Sequence, residues 1–297
     1  MVITILESIL TVFLAGIIGI FFLGLSRKVM ARIHWRYGPP ILQPVIDIIK
    51  LFSQTSMSHG MLFNFGIILS LAGSVVVLLF LPLGNICPLS NSGGLLVILY
   101  LMLIAPFGLA LSGGEAANPN TSIGISRKLL LAMGYEVPLL LVILAVMTYY
   151  DTISIVEIVD KQLQSGWSFG HLPLVLPGIA YVLIFPALLG MRPFEMIQAP
   201  QEISSGPMAE FSGKFLALAH IQHAFNIFIG ISLFTNLFLG GAGNPGYFFL
   251  KMLVVFIVFL LVNAVFPRFR IEQALGYLWK WPALLALAGL IIVMIVK

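Results

Sequence analysis

RPFEMIQAPQEISSGPMAEFSGK, residues 192–214, is the longest polar interruption in a chain that is otherwise mostly hydrocarbon. It holds three of the eleven carboxylates of the protein. Its charged residues are Arg192, Glu195, Glu202, Glu210 and Lys214. Because apolar runs long enough to cross a bilayer precede and follow it, we expect a loop at a membrane surface, for which the rest of the chain is the scaffold.

The composition excludes a soluble globular protein. Of the 297 residues, 60% are hydrophobic and 9% are charged, whereas soluble domains average about 25% charged residues. Cys87 is the only cysteine, so the chain lacks the thiolates for a disulfide framework, an iron–sulfur cluster or a zinc knuckle. We therefore expect any redox carriers to belong to other subunits. No basic segment precedes the first apolar run, which is expected to be a retained helix.

Eight apolar runs approach the length of about 20 residues that a membrane helix needs. They predict an all-α polytopic membrane protein, with one membrane domain over residues 1–297. The predicted spans are roughly residues 2–25, 62–83, 94–111, 129–149, 172–189, 215–239, 247–266 and 282–296. The predicted cytoplasmic-side loops are residues 26–61, 112–128, 190–214 and 267–281.

The placement of basic residues predicts the orientation. Twelve of the fifteen Lys and Arg residues follow the odd-numbered spans, and only Lys161, Lys251 and Lys297 lie on the other side. Positively charged loops remain in the cytoplasm, so we expect the odd-numbered loops there and both termini outside the cell membrane.

Residues 40–55, PILQPVIDIIKLFSQT, carry apolar side chains at helical spacing and polar side chains on the other faces. The pattern predicts a short amphipathic helix at the cytoplasmic interface, started by the Gly38-Pro39-Pro40 turn. A peripheral anchor with no further role is the alternative to a docking element.

Glu136, in the sequence GYEVP, falls inside the fourth predicted span. Ionisable groups there are costly and are usually functional. Pro138 removes a backbone hydrogen bond nearby, so the helix is expected to be irregular and accessible to water. A protonated carboxyl that bonds to a neighbouring helix is the alternative.

The sixth predicted span carries His220, His223 and Asn226 three residues apart, with Gln222 on another face. A polar stripe of this kind suits a proton path because histidine titrates near neutral pH. Interhelical hydrogen bonding is the plainer alternative, and ligation of a haem or metal is a third.

GGEAANPNTSIGISRK, residues 113–128, contains Glu115, Arg127 and Lys128 but no Gly-Lys-Ser or Gly-Lys-Thr sequence. A phosphate-binding loop is therefore not predicted. The segment is either part of a docking surface or a solvated loop.

Three motifs, in order along the chain, resemble one family. They are RYGPPILQPVIDIIKL (residues 36–51), SRKLLLAMGYEVP (126–138), and RPFE with QEISSGPMAEFSG (within 192–213). They are similar to the membrane subunit that joins the two arms of respiratory complex I, called subunit 1 or H. They are more similar to its homologue in energy-converting membrane-bound nickel–iron hydrogenases and their ferredoxin-linked relatives, including sulfur-reducing ones. Only Pro40 and Ile41 separate the Gly-Pro from the Leu-Gln-Pro here, whereas complex I has several more residues.

The motif of residues 192–214 also departs from the family. Glu195 replaces the usual aspartate, and Gln198 and Pro200 stand where two further carboxylates are typical. The resemblance therefore implies that protons enter through fewer acidic groups.

The resemblance implies a subunit without a redox cofactor or metal of its own. Expected partners are hydrogenase-like large and small subunits, iron–sulfur subunits, antiporter-like membrane subunits, and ferredoxin as electron donor. A nickel–iron or related site and iron–sulfur clusters would lie in those partners, and no nucleic acid is expected. The subunit would dock the soluble arm and couple electron transfer to H⁺ or Na⁺ translocation. Alternatives are a quinone-reducing complex I subunit, a passive anchor without an ion path, and an independent transporter.

Two sets of residues follow from this resemblance. Those implied in the proton path and coupling are Glu115, Glu136, Glu195, Glu202, Glu210, His220 and His223. Those implied in docking or in shaping the loops are Arg36, Gly38, Pro39, Gln43, Pro44, Asp47, Lys50, Arg127, Arg192, Pro193, Phe194 and Gly206.

Overall fold

The computed structural model describes residues 2–89, 93–116 and 118–297, and the regular secondary structure of these residues is helical. The helices are α1 (Val2–Ile33), α2 (Gln43–Ser53), α3 (Met61–Phe80), α4 (Leu95–Met102), α5 (Ile104–Gly114), α6 (Pro119–Tyr150), α7 (Ile155–Ser165), α8 (Leu172–Leu189), α9 (Pro200–Ile203), α10 (Gly213–Phe238), α11 (Pro245–Val265) and α12 (Ile271–Val296). Short 3₁₀ turns occupy Ser168–Gly170 and Gly206–Ala209.

Eight helical segments in the described part of the chain are long and apolar enough to cross a membrane. They are α1, α3, α4 with α5, α6, α8, α10, α11 and α12. The prediction of an all-α polytopic membrane protein with eight spans is confirmed. The predicted amphipathic helix is α2, and the polar segment after the fourth span contains one further helix, α7.

Three spans are longer than their apolar cores predicted. Helix α1 continues to Ile33, α6 begins at Pro119, and α12 begins at Ile271. Much of the expected loops 112–128 and 267–281 is therefore helical. The prediction was wrong there because hydropathy detects the apolar middle of a helix and misses its polar end. Residue 117 of the first of these loops, and residues 90–92 of an expected outer connection, lie outside the described residues.

The third span is two helices that meet at Leu103, between α4 and α5. Pro106 follows in the first turn of α5, where its missing N–H leaves no helical hydrogen bond unmade. Next to this break, α3 and α5 pack closely: a Cβ on Gly66 would lie 2.4 Å from the backbone nitrogen of Ser112. The short third apolar run is therefore part of a full-length span that α4 and α5 form together, and small residues allow this span to pack closely on α3.

Contacts between connections divide the bundle into two ends. The N–H of Met57 donates to Oγ of Ser212, and ion pairs link Arg127 to Glu202 and Arg268 to Glu195, which brings together the polar segments after the first, third, fifth and seventh spans. We call this the loop end. At the opposite end, Lys297 pairs with Asp151 at 2.9 Å. The odd-numbered connections therefore share one end of the bundle, as eight spans require.

Helix α10 is the most deeply buried span. Its neighbours include α1, α2, α3, α8 and α11. The approach of α1 is close, because a Cβ on Gly19 would lie 2.4 Å from the carbonyl oxygen of Ala224. The polar residues of α10 therefore face protein on most sides, and this places His223 inside the bundle.

Candidate functional site

A cavity of about 130 Å³ lies below the loop end, between α6, α8, α10 and residues 195–198. We call it the chamber. Its polar lining residues are Lys128, Tyr135, Glu195, Gln198, Gln222, His223 and Asn226, and leucine, isoleucine, alanine and methionine side chains form much of the remaining wall. A polar cavity of this size has room for several waters. The chamber thus joins the loop end to polar groups inside two membrane spans.

Glu195 connects the chamber to the surface of the loop end. Its Oε2 accepts hydrogen bonds from Nε of Arg192 at 3.0 Å and from Nη2 of Arg268 at 3.2 Å. Its side chain is 31% exposed and also lines the chamber. One carboxylate is therefore held by two arginines on one side and faces polar groups of the bundle on the other.

The backbone around Glu195 is fixed to the seventh span and to the connection that follows it. The N–H of Arg192 donates to Oδ1 of Asn263 at 3.0 Å, and the N–H of Phe269 donates to the carbonyl of Pro193 at 2.9 Å. Phe194 is fully buried, with its ring 5.6 Å from that of Phe269. Pro193 and Phe194 thus position the loop of residues 192–214 through contacts with Phe269.

The second half of the loop lies on the start of α6. Glu202 pairs with Nη1 of Arg127 at 2.8 Å. Gly206 has φ +55°, and a Cβ there would lie 2.4 Å from the carbonyl oxygen of Ile197 and 3.6 Å from Cα of Gly124. A glycine at 206 allows both the left-handed backbone and this close approach.

Glu210 and Glu115 both lie near the start of α3. Glu210 pairs with Nε2 of His59 at 3.2 Å, and the His59 ring packs on Phe63 with 5.0 Å between centroids. The N–H of Phe63, in the first turn of α3, donates to Oε2 of Glu115. Glu115 therefore caps α3 and also favours its dipole.

Asp47 joins α2 to α1. It accepts hydrogen bonds from Nε2 of Gln43 at 2.8 Å and from Nη1 of Arg27 at 3.1 Å. The bond from Gln43, together with Arg27, holds the pKa of Asp47 below its ordinary value.

The other residues predicted around α2 divide between core and surface. Pro44 is buried, and Arg36 and Lys50 are exposed. Gly38 has φ +70°, and a Cβ there would lie 2.5 Å from Cβ of Ala31, so this turn packs on the end of α1. Pro39 follows in the same turn.

The structure brings Glu195 and His223 together at the chamber, but it places two other predicted residues, His220 and Glu136, elsewhere. His220 does not line the chamber, although it is on the same helix. Gln222, expected on another face, does line it, so that expectation was wrong. Glu136 lies near the middle of α6, is half-buried, and forms no hydrogen bond or ion pair with the described residues. It does not line the chamber.

Sequence reasoning missed Lys128, Tyr135 and Arg268 as site residues. A signal for the first two was present, since Asn118-Pro119 is a cap followed by a favoured first helical residue, and Asn118 does accept from the N–H of Asn120. With the helix started there, Lys128 and Tyr135, seven residues apart, share one face. Arg268 had no signal of this kind, because its partner lies 73 residues away.

Within residues 2–89, 93–116 and 118–297, no group of three or more His, Cys, Asp or Glu side chains is placed to hold a metal ion. Cys87, at the end opposite the loop end, is half-buried, and burial raises the pKa of its thiol to about 11.

The chain is similar to known proteins over nearly its whole length. The family model described as NADH dehydrogenase matches residues 6–294. Hydrogenase-4 component C of Escherichia coli is 33% identical over 222 residues, which cover 73% of this chain and 70% of that protein. The NADH-quinone oxidoreductase of Protochlamydia amoebophila has an H subunit that is 29% identical over 295 residues, which cover 90% of this chain and 89% of that protein.

A solved structure is similar at higher identity. It is that of the membrane-bound sulfane sulfur reductase, an archaeal respiratory membrane complex. One of its chains superposes with a TM-score of 0.94 and 40% identity, covering 98% of this chain and 99% of that one.

Proposed function

Since the chain belongs to the NADH dehydrogenase family, which contains the H subunit of complex I, we propose that it joins the membrane and soluble arms of a respiratory complex and couples their activities. It docks a soluble arm that oxidises ferredoxin, and it links electron transfer there to translocation of H⁺ or Na⁺. The observation that carries the coupling is Glu195, which two arginines hold at the loop end and which also lines the chamber with His223.

The orientation follows from the basic residues of the loop end. We propose that this end faces the cytoplasm, that both termini lie outside, and that residues 1–297 form one membrane domain. Exposed aromatic residues support docking there: Trp35 is 98% exposed and Tyr37 is 79% exposed. Large exposed aromatics beside basic residues are typical anchors of protein interfaces. Arg36, Lys50 and residues 192–214 complete the proposed docking surface.

The proposed coupling begins with a change of charge in the docked arm. Such a change alters the field at the carboxylates of the loop end, Glu115, Glu195, Glu202 and Glu210. A shift of one pKa unit corresponds to about 1.4 kcal/mol, so several coupled groups transmit a useful amount of free energy. The proton then passes from Glu195 to His223 in the chamber, and Glu136 and His220 extend the path to neighbouring membrane subunits.

The partners we propose are hydrogenase-like large and small subunits, iron–sulfur subunits and antiporter-like membrane subunits. The iron–sulfur clusters and a nickel–iron or related site belong to those partners. The 40% identity to a chain of the sulfane sulfur reductase complex, against 29% to a quinone oxidoreductase subunit, supports the ferredoxin-linked branch.

The test uses the assembled complex in sealed membrane vesicles, with reduced ferredoxin as donor. We expect Glu195→Gln to keep electron transfer and to reduce ion translocation per electron at least about tenfold, because the amide cannot exchange a proton. Glu157→Gln, an exposed residue of α7, is the matched control and should leave both unchanged. The amount of soluble arm retained on the vesicles reports whether assembly is intact.

Each alternative gives a different result. If Glu195→Gln translocates like the wild type, the chain is a passive anchor and the ion path belongs to its partners. Electron transfer to an added quinone that quinone-site inhibitors block would instead identify a quinone-reducing complex. Transport by the purified chain alone would indicate an independent transporter.

A further inference from the structure

Among the residues that the structure describes, Lys128 is the only lysine that lines the chamber. The preceding residue, Arg127, points to the loop end and pairs with Glu202, whereas Lys128 points inward. The Lys128 side chain is partly buried and lines the chamber. Its Nζ has no hydrogen bond or ion pair with any residue that the structure describes.

The chamber has little fixed negative charge to balance an ammonium group. Glu195 is its only carboxylate, and Oε2 of Glu195 already accepts from Arg192 and Arg268. His223 lines the same cavity as Lys128. Tyr135 and three amides supply the other polar groups. An ammonium beside a single carboxylate that already accepts from two arginines is electrostatically unfavourable in a partly enclosed cavity, so the number of protons bound here is sensitive to small changes in the local electric field.

We propose that Lys128 is the group that holds the mobile proton of the chamber. This rests on the coupling function proposed above, and it names the proton as the ion that the chamber handles. A proton that enters at the loop end passes by way of the Glu195 carboxylate and the chamber water to the Lys128 amine, which becomes an ammonium. When charge in the docked arm changes, the ammonium releases that proton to His223, and the amine is restored. His223 passes the proton on along the proposed path and returns to its neutral form, so one proton enters and one leaves, and no bond other than N–H and O–H bonds changes.

Three substitutions separate a proton-holding role from a merely structural positive charge. Lys128→Met keeps the length of the side chain and removes the amine. Lys128→Arg keeps the charge but cannot release a proton in a protein. Lys128→His keeps a titratable nitrogen that has an ordinary pKa about four units lower. Lys280→Met, an exposed residue of α12, is the matched control.

The measurement is electron-driven proton translocation by the assembled complex in vesicles, recorded with a pH-sensitive dye between pH 5 and 9 alongside the rate of electron transfer. We expect Lys128→Met and Lys128→Arg to lower the number of protons translocated per electron at least about tenfold, while the rate of electron transfer stays at the wild-type value. Lys128→His should retain translocation with a pH optimum at least one unit lower. The histidine variant remains informative where either of the others fails to assemble.

Other results would overturn the inference. Full translocation by Lys128→Arg would mean that a positive charge suffices. An unchanged pH optimum for Lys128→His would mean that this position does not titrate during turnover. If the Lys128 variants translocate normally while Glu195→Gln does not, this inference fails and the coupling function stands. If none of these variants affects translocation, the coupling function fails as well.

Discussion

Arg268 donates from Nη2 to Oε2 of Glu195 at 3.2 Å, across 73 residues of sequence. The pair joins the loop after the fifth span to the connection after the seventh, next to the chamber that Glu195 lines. Side-chain exposures of 17% for Arg268 and 31% for Glu195 place the bond in a partly dry environment, where a charge-assisted hydrogen bond is stronger than at an open surface. The orientation of Glu195 therefore depends on Arg268.

Arg268→Met should reduce ion translocation per electron about three- to tenfold and leave electron transfer intact, because Glu195 loses one of two partners that hold it. The double variant with Glu195→Gln should translocate as many ions per electron as Glu195→Gln alone, because each substitution removes the same Arg268–Glu195 interaction. Vesicle assays of the two single variants and the double variant measure this coupling. Arg270→Met, an exposed neighbour, is the control. Additive losses in the double variant would show that the two residues act independently.

Gly206→Ala should destabilise the loop. The left-handed φ of +55° costs a side-chain residue about 1–2 kcal/mol, and the new Cβ would lie 2.4 Å from the carbonyl oxygen of Ile197. We expect the melting temperature of the purified complex to fall by about 4 °C or more. Gly276→Ala is the matched control, because no atom lies within 4 Å of its Cβ position and alanine favours the helix. Equal melting temperatures for wild type and Gly206→Ala would contradict the close packing.

Substitutions of Glu115 distinguish a cap from a charge-coupling group. Glu115→Ala removes the acceptor for the N–H of Phe63, and it should cost about 0.5–2 kcal/mol, as the loss of other helix caps does. Hydrogen exchange at the first turn of α3 should become faster. Glu115→Gln keeps an acceptor oxygen, so slow exchange should be retained. If Glu115→Gln keeps the slow exchange but loses ion translocation, Glu115 has a charge-dependent role as well.

Asp47→Asn should change how the stability of the protein depends on pH. Hydrogen bonding from Gln43, with Arg27, lowers the pKa of Asp47 in the folded protein, so its contribution is fully present above the ordinary aspartate pKa of about 3.9. That contribution is lost as the pH falls through the lower, folded-state value. The variant should therefore be less stable than the wild type from pH 5 to 7, by about 1 kcal/mol or less, which thermal unfolding of the complex measures. The difference should narrow toward pH 3.

The control for this titration is Asp160→Asn, an exposed aspartate of α7. Its stability relative to the wild type is measured over the same pH range. A stability difference for Asp47→Asn that stays the same from pH 3 to 7 would mean that the charge of Asp47 contributes nothing to the attachment of α2.

Much of the fold could be read from the sequence. Runs of apolar residues predicted the eight spans, because a bilayer imposes a minimum length on each. The spacing of Ile41, Val45, Ile48 and their apolar neighbours predicted α2 within a few residues. The ends of the helices were harder to predict. Helix α6 starts ten residues before residue 129, the predicted start of the span, because polar residues such as Arg127 and Lys128 continue the helix beyond its apolar part.

The sequence alone determined the membrane class, the number of spans, the family resemblance and the choice of Glu195 as a candidate, because these follow from hydropathy, length and local motifs. Only the tertiary structure decided which polar groups meet. Lys128, Glu195 and His223 come from α6, a loop and α10, and they line one chamber because those elements pack together. Glu136 and His220 sit on two of the same helices but are turned away from it. Rotation of a helix about its axis is fixed by packing against neighbours distant in sequence, and no local pattern records it.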